Sequence, residues 1–156
     1  MIQRIQTLFL SVSVISCILL FFFPIAVYIN DIPATYKLFV THLVFVEGKT
    51  IINFWATSPM LFLLVISILL SLTAIFSYKK RRLQLLFVNV NILLTIVQIA
   101  LIFLFYSDHL FRDIIKVRPS YQMGGFIPLI SLVFLILAFR AIKKDEALVK
   151  SADRLR

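Results

Sequence analysis

Four long apolar runs, separated by short polar segments, constrain this 156-residue chain more than any other feature. Crossing about 30 Å of hydrocarbon takes roughly 20 helical residues, and runs of that order span 5–28, 59–78, 83–106 and 121–142. A soluble core cannot enclose a chain that is 62% hydrophobic and 15% charged. The sequence therefore predicts an all-α membrane protein, a four-helix transmembrane bundle that forms a single domain over residues 1–156.

The basic residues indicate how such a bundle is oriented. One side of the membrane would hold Arg4, the run 79–82, Arg140 and the cations of the tail 143–156. The other side would hold fewer, namely Lys37, Lys49, Arg112, Lys116 and Arg118. The positive-inside rule assigns the richer side to the cytoplasm. We therefore predict that both termini are cytoplasmic. On this interpretation, the net charge of +9 reports topology rather than nucleic-acid binding. The short link 79–82 also predicts that spans two and three are antiparallel neighbours.

The first external segment has the composition of β-strands. Residues 36–46 are rich in Leu, Phe, Val and Thr, Glu47 and Gly48 provide a turn, and β-prone residues resume at 50–55. This pattern predicts a small extracytoplasmic hairpin over about 36–55, between the first and second helices. Its strands are apolar on both faces and must be covered on both. We expect the hairpin either to pack on the bundle or to bind a partner strand or a lipidated ligand.

Polar side chains form a stripe on the third span. At 100° per residue, Gln84, Asn91, Thr95 and Gln98 fall within roughly 60° of one another, while Asn89 points to the opposite side. Amides in hydrocarbon need partners, and the usual partner is a neighbouring helix. A transport path is the alternative. No ionisable residue lies in the middle of a span, which disfavours ion-coupled transport.

Small residues recur at helical spacing in the other three spans. They are Ser13, Ser16 and Cys17 in the first, Ser67, Ser71 and Ala74 in the second, and Gly124, Pro128, Ser131, Ala138 and Ala141 in the fourth. Such faces allow close helix packing, in a monomeric bundle or between copies.

The sequence offers little that could perform chemistry. Asp108, His109 and Asp113 form a weak external polar cluster after the third span, and such residues are more often hydrogen-bonded surface groups than a metal or acid–base site. The single cysteine, Cys17, excludes an intrachain disulfide and a thiolate zinc cluster. None of the common hydrolase, zinc-protease or phosphate-binding motifs is present. We therefore predict a protein without catalytic activity, cofactor or metal.

The tail 143–156 is the most patterned polar segment. From 141 to 156 it contains no Gly or Pro, and Glu146 precedes Lys150 at the favourable i, i+4 spacing, so it should continue the fourth span as a helix. Its cations are candidates for contact with anionic lipid headgroups or a cytosolic partner; a solvated helix end is the alternative. They are Lys143, Lys144, Lys150, Arg154 and Arg156.

Both ends of the chain carry a recognisable sequence. The first four residues read MIQR, and residues 140–156 read RAIKKDEALVKSADRLR. These segments, together with the length and the four runs, resemble a bacterial family of short four-span inner-membrane proteins classed as a domain of unknown function. Phe139 stands where the resemblance leads us to expect Asn. The resemblance implies a cytoplasmic-membrane location and the same architecture, and it carries no activity or substrate.

Patterned ends and absent chemistry together favour one class of function. We expect an integral membrane protein that acts as a non-catalytic subunit or accessory protein, with the tail and the external hairpin as contact surfaces. The alternative is a small-molecule or lipid carrier that uses the polar face of the third span. The partners expected are the bilayer, its anionic headgroups, and either another membrane protein or a second copy of the chain, with no nucleic acid.

Overall fold

The computed structural model describes residues 3–29, 35–45, 50–51, 54–78, 80–109 and 119–154. It is mostly helical, with four helices and a small sheet. The helices are α1 (Gln3–Leu19), α2 (Phe54–Phe76), α3 (Arg81–Ala100), which continues as a π-helical segment Leu101–His109, and α4 (Met123–Arg154).

Among the described residues, three helices are long and apolar enough to cross a membrane. These segments are Thr57–Phe76, Arg81–Tyr106 and Met123–Val149. Helix α1 is shorter, with an apolar part Ile5–Leu19. At about 1.5 Å per residue, its 17 residues reach roughly 25 Å, slightly less than the hydrocarbon thickness of about 30 Å.

The prediction of one helix over 5–28 is wrong at its end. Helix α1 stops at Leu19, the chain turns, and a strand begins at Ala26. Pro24 has no amide to donate and disfavours helical backbone at Phe23, so the helix cannot pass this point without losing bonds. The residues that follow are apolar because they are buried in a sheet, and hydrophobicity alone does not distinguish a buried strand from a helix end.

In the part of the chain that the structure describes, the sheet has five antiparallel strands in the order β4-β3-β2-β1-β5. The strands are β1 (Ala26–Ile29), β2 (Thr35–Leu38), β3 (Leu43–Phe45), β4 (Thr50–Ile51) and β5 (Pro119–Tyr121). In register, Ala26 lies between Leu38 of β2 and Tyr121 of β5. Segments from before α2 and after α3 therefore meet at one end of the bundle.

The predicted hairpin over 36–55 is only partly correct. A tight turn, in which the Phe39 amide donates to the His42 carbonyl at 2.9 Å, divides the expected first strand into β2 and β3. Helix α2 begins at Phe54, so the last two residues are helical, and Pro59 lies inside the helix rather than at its start. Two isolated strands are marginally stable, and strands β1 and β5 complete a sheet that the segment could not form alone.

The four helices pack in a ring of antiparallel neighbours. Helix α1 packs on α2 and α4, and α3 packs on the same two helices. Gln6 near the start of α1 bonds to the carbonyl of Ala141 late in α4, whereas Ser13 meets Ser131. The α2–α3 pair is antiparallel, in agreement with the short link between them.

Two apolar clusters fill the bundle. The cluster beside the sheet includes Leu20, Ile25, Leu38, Leu64 and Ile102. The other cluster contains Leu10, Ala74, Val88, Leu135, Ala138 and Ile142. The sheet thus covers one end of the bundle, whereas the start of α1, the α2–α3 link and the last turns of α4 lie at the other end.

Candidate functional site

The predicted polar face of α3 points into the bundle. Gln84, Asn91, Thr95 and Gln98 are all buried, together with Val88. Asn89 is exposed on the other side of the helix. The helical period therefore brings four polar side chains into the interior, where each needs a partner.

Asn91 is held by two serines of α2. The Ser67 hydroxyl donates to Asn91 Oδ1 at 2.6 Å, and Asn91 Nδ2 donates to Ser71 Oγ at 2.7 Å and to the Ser67 carbonyl at 3.2 Å. The two serines lie four residues apart, so they share one face of α2. The fully buried amide of Asn91 therefore uses both hydrogens and its oxygen in bonds to one neighbouring helix.

A chain of small polar side chains extends this pair across the bundle. Cys17 Sγ lies 3.9 Å from Ser67 Oγ and 3.7 Å from Ser131 Oγ, and Ser131 Oγ lies 2.8 Å from Ser13 Oγ. All of these side chains are buried. We call the set Ser13, Cys17, Ser67, Ser71, Asn91 and Ser131 the central network. It joins all four helices, and its members are the small residues that allow helices to approach closely.

Thr95 and Gln98, one and two turns beyond Asn91 on the same face of α3, differ from Asn91 in their hydrogen bonding. The Thr95 hydroxyl donates back to the Asn91 carbonyl at 2.8 Å, within the same helix. Gln98 is 2% exposed, and its Nε2 has no hydrogen-bond partner among the described residues. Because α2 and α3 are antiparallel, the part of α2 level with Gln98 holds the buried apolar residues Met60 and Leu64. Gln98 thus differs from Asn91 in having a buried amide nitrogen without a partner among the described residues.

Backbone contacts join α4 to the α1–β1 connection at the sheet end. The Gly124 amide donates to the Pro24 carbonyl at 3.1 Å, and the Gln122 amide donates to the Ile25 carbonyl at 3.0 Å. A Cβ on Gly124 would lie 2.7 Å from the Phe23 carbonyl oxygen. Only glycine allows the two backbones to approach this closely, a requirement that the sequence indicated only as a small-residue face.

Two tyrosines from the sheet bond to the π-helical segment. The Tyr28 hydroxyl donates to the Tyr106 carbonyl at 3.1 Å, and the Tyr121 hydroxyl donates to the Phe103 carbonyl at 3.5 Å. Burial raises the pKa of Tyr28, with a smaller contribution from Tyr121, so the phenol is kept in the protonated form that donates. The bond of Tyr28 is buried and joins residues 78 positions apart in the sequence.

An apolar groove lies between the end of α1 and the beginning of α4. It has a volume of about 300 Å³ and is lined only by apolar side chains. They are Leu19, Phe23, Met123, Phe126, Ile127 and Ile130. The early end of α1 leaves this stretch of α4 uncovered.

An ion pair joins α3 and α4 at the opposite end. Arg81 Nη1 lies 3.2 Å from Asp145 Oδ2 and donates to the Asp145 carbonyl at 2.9 Å. Of the tail cations predicted as contacts, Lys143 and Lys144 are exposed. Lys150 and Arg154 lie on α4, and Arg156 is outside the described residues.

The external cluster of Asp108, His109 and Asp113 stays a prediction. Asp108 and His109 belong to the π-helical segment, but their side chains are not among those described. Asp113 falls outside the described residues. Within the part of the chain that the structure describes, no three His, Cys, Asp or Glu side chains form a group that could hold a metal ion.

Comparison with known proteins identifies a family without a described activity. The family model described as a domain of unknown function, DUF4293, matches residues 2–155. None of the curated proteins compared with the chain matches its sequence.

Proposed function

The chain belongs to the DUF4293 family of unknown function, and we propose that it is a four-span protein of the bacterial cytoplasmic membrane, a non-catalytic subunit or accessory protein of a larger assembly. The proposal has three parts: the fourth span, the orientation and the role. Each has its own supporting observation, and the orientation and the role are tested separately.

Helix α1 supports the fourth span because it packs lengthwise on α4, which is long enough to cross a membrane by itself. Apart from Thr7, the exposed side chains described on this helix are apolar: Ile5, Leu8, Ile15 and Ile18 are each between 44% and 57% exposed. A helix that presents isoleucine and leucine outward along its length is suited to lipid. The apolar turn after Leu19 extends its reach.

The distribution of charge supports the orientation. The start of α1, the α2–α3 link and the late part of α4 lie at one end of the bundle, where Lys80, Arg82, Arg140, Lys143 and Lys144 are exposed. The positive-inside rule assigns such an end to the cytoplasm. Both termini would then be cytoplasmic, and the sheet would be external.

Cysteine labelling tests this orientation. In a Cys17→Ser background, Lys37→Cys on β2 and Ser151→Cys on α4 introduce thiols at two exposed positions at opposite ends. A membrane-impermeant maleimide should label the first in intact cells and the second only after permeabilisation. Labelling of both in intact cells, or of Ser151→Cys alone, would contradict the orientation.

The central network is the observation that carries the proposed role. Asn91 bonds to Ser67 and Ser71 of α2, Ser13 bonds to Ser131 of α4, and Cys17 contacts a serine of each pair. Such contacts are expected of groups that hold a bundle together. Polar groups used in this way are not available to line a transport path or to bind a substrate. The surfaces that stay available are the sheet and the late part of α4, which suit contacts with another protein.

Purification from native membranes tests the role. A tagged chain extracted in mild detergent should retain at least one other membrane protein in near-stoichiometric amount, identified by mass spectrometry. A matched chain that ends after Glu146 should lose that protein if the tail provides the contact. Recovery of the full chain alone, as a monomer, would contradict the subunit hypothesis.

One observation favours the second candidate, a small-molecule or lipid carrier. The Gln98 amide is buried without a partner for Nε2 among the described residues, and such a group could bind a transient polar ligand. Gln98→Leu should then abolish complementation of a deletion strain while leaving the protein folded. Unchanged complementation by Gln98→Leu would exclude a carrier that depends on this amide.

A further inference from the structure

Three cations lie on the outward face of α4 near the basic end of the bundle. Arg140, Lys143 and Lys144 are all exposed, and at 100° per residue they fall within about 100° of one another. Buried Ala138 and Ile142 lie on the opposite side of the helix. The cations therefore point away from the bundle.

The same face is apolar in the two turns before these cations. Val133, Ile136 and Leu137 are 54%, 37% and 36% exposed, and the helical period places them on the side of Arg140. Because α4 is a single helix from Met123 to Arg154, this relation is rigid. An outward apolar surface thus ends directly in an outward basic surface.

The nearest acidic side chains do not neutralise these cations. Asp145 is paired with Arg81 and lies on the other side of α4 from Arg140, whereas Glu146 lies three residues after Lys143 and is therefore beside that lysine. One adjacent carboxylate cannot neutralise three cations, so the outward face keeps a net positive charge beside an apolar stripe. This combination matches the two halves of an anionic phospholipid.

We propose that this face binds an anionic phospholipid, with the phosphate on Arg140, Lys143 and Lys144 and the acyl chains along Val133, Ile136 and Leu137. A guanidinium can bind two phosphate oxygens at once, and the two lysines add point charge. The inference rests on the proposed four-span arrangement, which brings position 140 to the headgroup layer, and it does not depend on a protein partner.

Lipid retention measured by native mass spectrometry tests the proposal. The full chain is purified with equal amounts of phosphatidylglycerol and phosphatidylcholine, and the bound lipids are counted. The wild-type chain should retain phosphatidylglycerol preferentially. Arg140→Gln/Lys143→Gln/Lys144→Gln should reduce that preference by about fivefold for each cation removed, and inorganic phosphate should not displace the lipid, because it lacks acyl chains.

Two further variants keep the experiment decisive. Lys37→Gln, an exposed cation on β2 at the other end of the molecule, is the matched control and should retain phosphatidylglycerol normally. Lys143→Gln/Lys144→Gln, which keeps Arg140, serves if the triple variant fails to insert, and it should show an intermediate loss. Correct insertion of each variant is checked by the cysteine labelling described above, so that a reversed topology is distinguished from a lost lipid site.

Three outcomes would overturn the proposal. They are equal retention of the two lipids by the wild-type chain, undiminished preference in a correctly inserted lysine variant, and an equal loss in Lys37→Gln. If the lysine variants retain lipid but lose a co-purifying acidic protein, the face binds that protein instead.

Discussion

The centre of the bundle and its sheet end are held together by different kinds of contact. At the centre, side chains bond to side chains, as Asn91 does with Ser67 and Ser71. At the sheet end, backbone meets backbone, as in the bonds from Gly124 to Pro24 and from Ile25 to Leu38. One substitution can remove a side-chain bond while the helices keep their positions. A bond between two backbones cannot be removed in this way, because a substitution leaves the main-chain atoms in place.

This difference predicts which positions tolerate change. Where two backbones touch, any added carbon must displace the main chain, so the loss of stability depends on how much space is free beside the substituted residue. Where amides and hydroxyls bond in an apolar interior, the cost depends on how many groups lose their partner. Four substitutions, from the largest expected effect to the smallest, test this distinction.

Gly124→Ala should be the most damaging. Its Cβ would press on the carbonyls of Phe23 and Pro24, and overpacking of this kind costs about 1–3 kcal/mol or more when the backbone cannot move. Thermal unfolding in detergent measures the effect. Gly125→Ala is the matched control, because the Cβ that it adds would lie 3.2 Å from its nearest neighbour, the Ile25 carbonyl oxygen. Equal losses of stability in the two variants would argue against a backbone contact specific to Gly124.

Asn91→Leu should have the next largest effect. It preserves approximate volume but removes the partners of the Ser67 and Ser71 side chains, at a cost of roughly 1–2 kcal/mol in a membrane interior. Asn89→Leu changes an exposed amide on the other face of the same helix and should leave the unfolding temperature unchanged or higher. If Asn89→Leu destabilises as much as Asn91→Leu, the central network does not hold the helices.

Tyr28→Phe tests a side-chain bond that joins β1 of the sheet to the π-helical segment. Loss of the 3.1 Å bond to the Tyr106 carbonyl should cost about 1 kcal/mol, measured by the same unfolding experiment. Tyr121→Phe removes a bond of 3.5 Å and should cost less. The reverse order would show that the shorter bond is not the stronger link.

Gln98→Leu should have the smallest effect on stability. Because Nε2 has no partner within the described residues, its replacement by an apolar side chain should change the free energy of unfolding by less than about 0.5 kcal/mol or raise it slightly. A loss comparable to that of Asn91→Leu would show that Gln98 is bonded in the folded protein.

Prediction from the sequence succeeded where one physical rule dominates. The helical period alone places Gln84, Asn91, Thr95 and Gln98 on one face of α3, and this face is buried in the structure. The α2–α3 pair follows from a link too short for any other arrangement. Prediction was wrong where two rules compete, as at 20–28, where apolar residues suit both a membrane helix and a buried strand and Pro24 decides between them.

Local sequence thus determines the long apolar helices, the polar face of α3 and the excess of basic residues at one end, because each depends on periodicity, length or charge along a short stretch of chain. Only the tertiary structure decides that β5 joins β1 across some ninety residues and that Gly124 touches Pro24. The same is true of the amides: Asn91 is satisfied, while Gln98 Nε2 has no partner among the described residues. Those outcomes depend on which segments lie opposite one another, and no local pattern encodes the partner of a strand edge, an amide or a glycine.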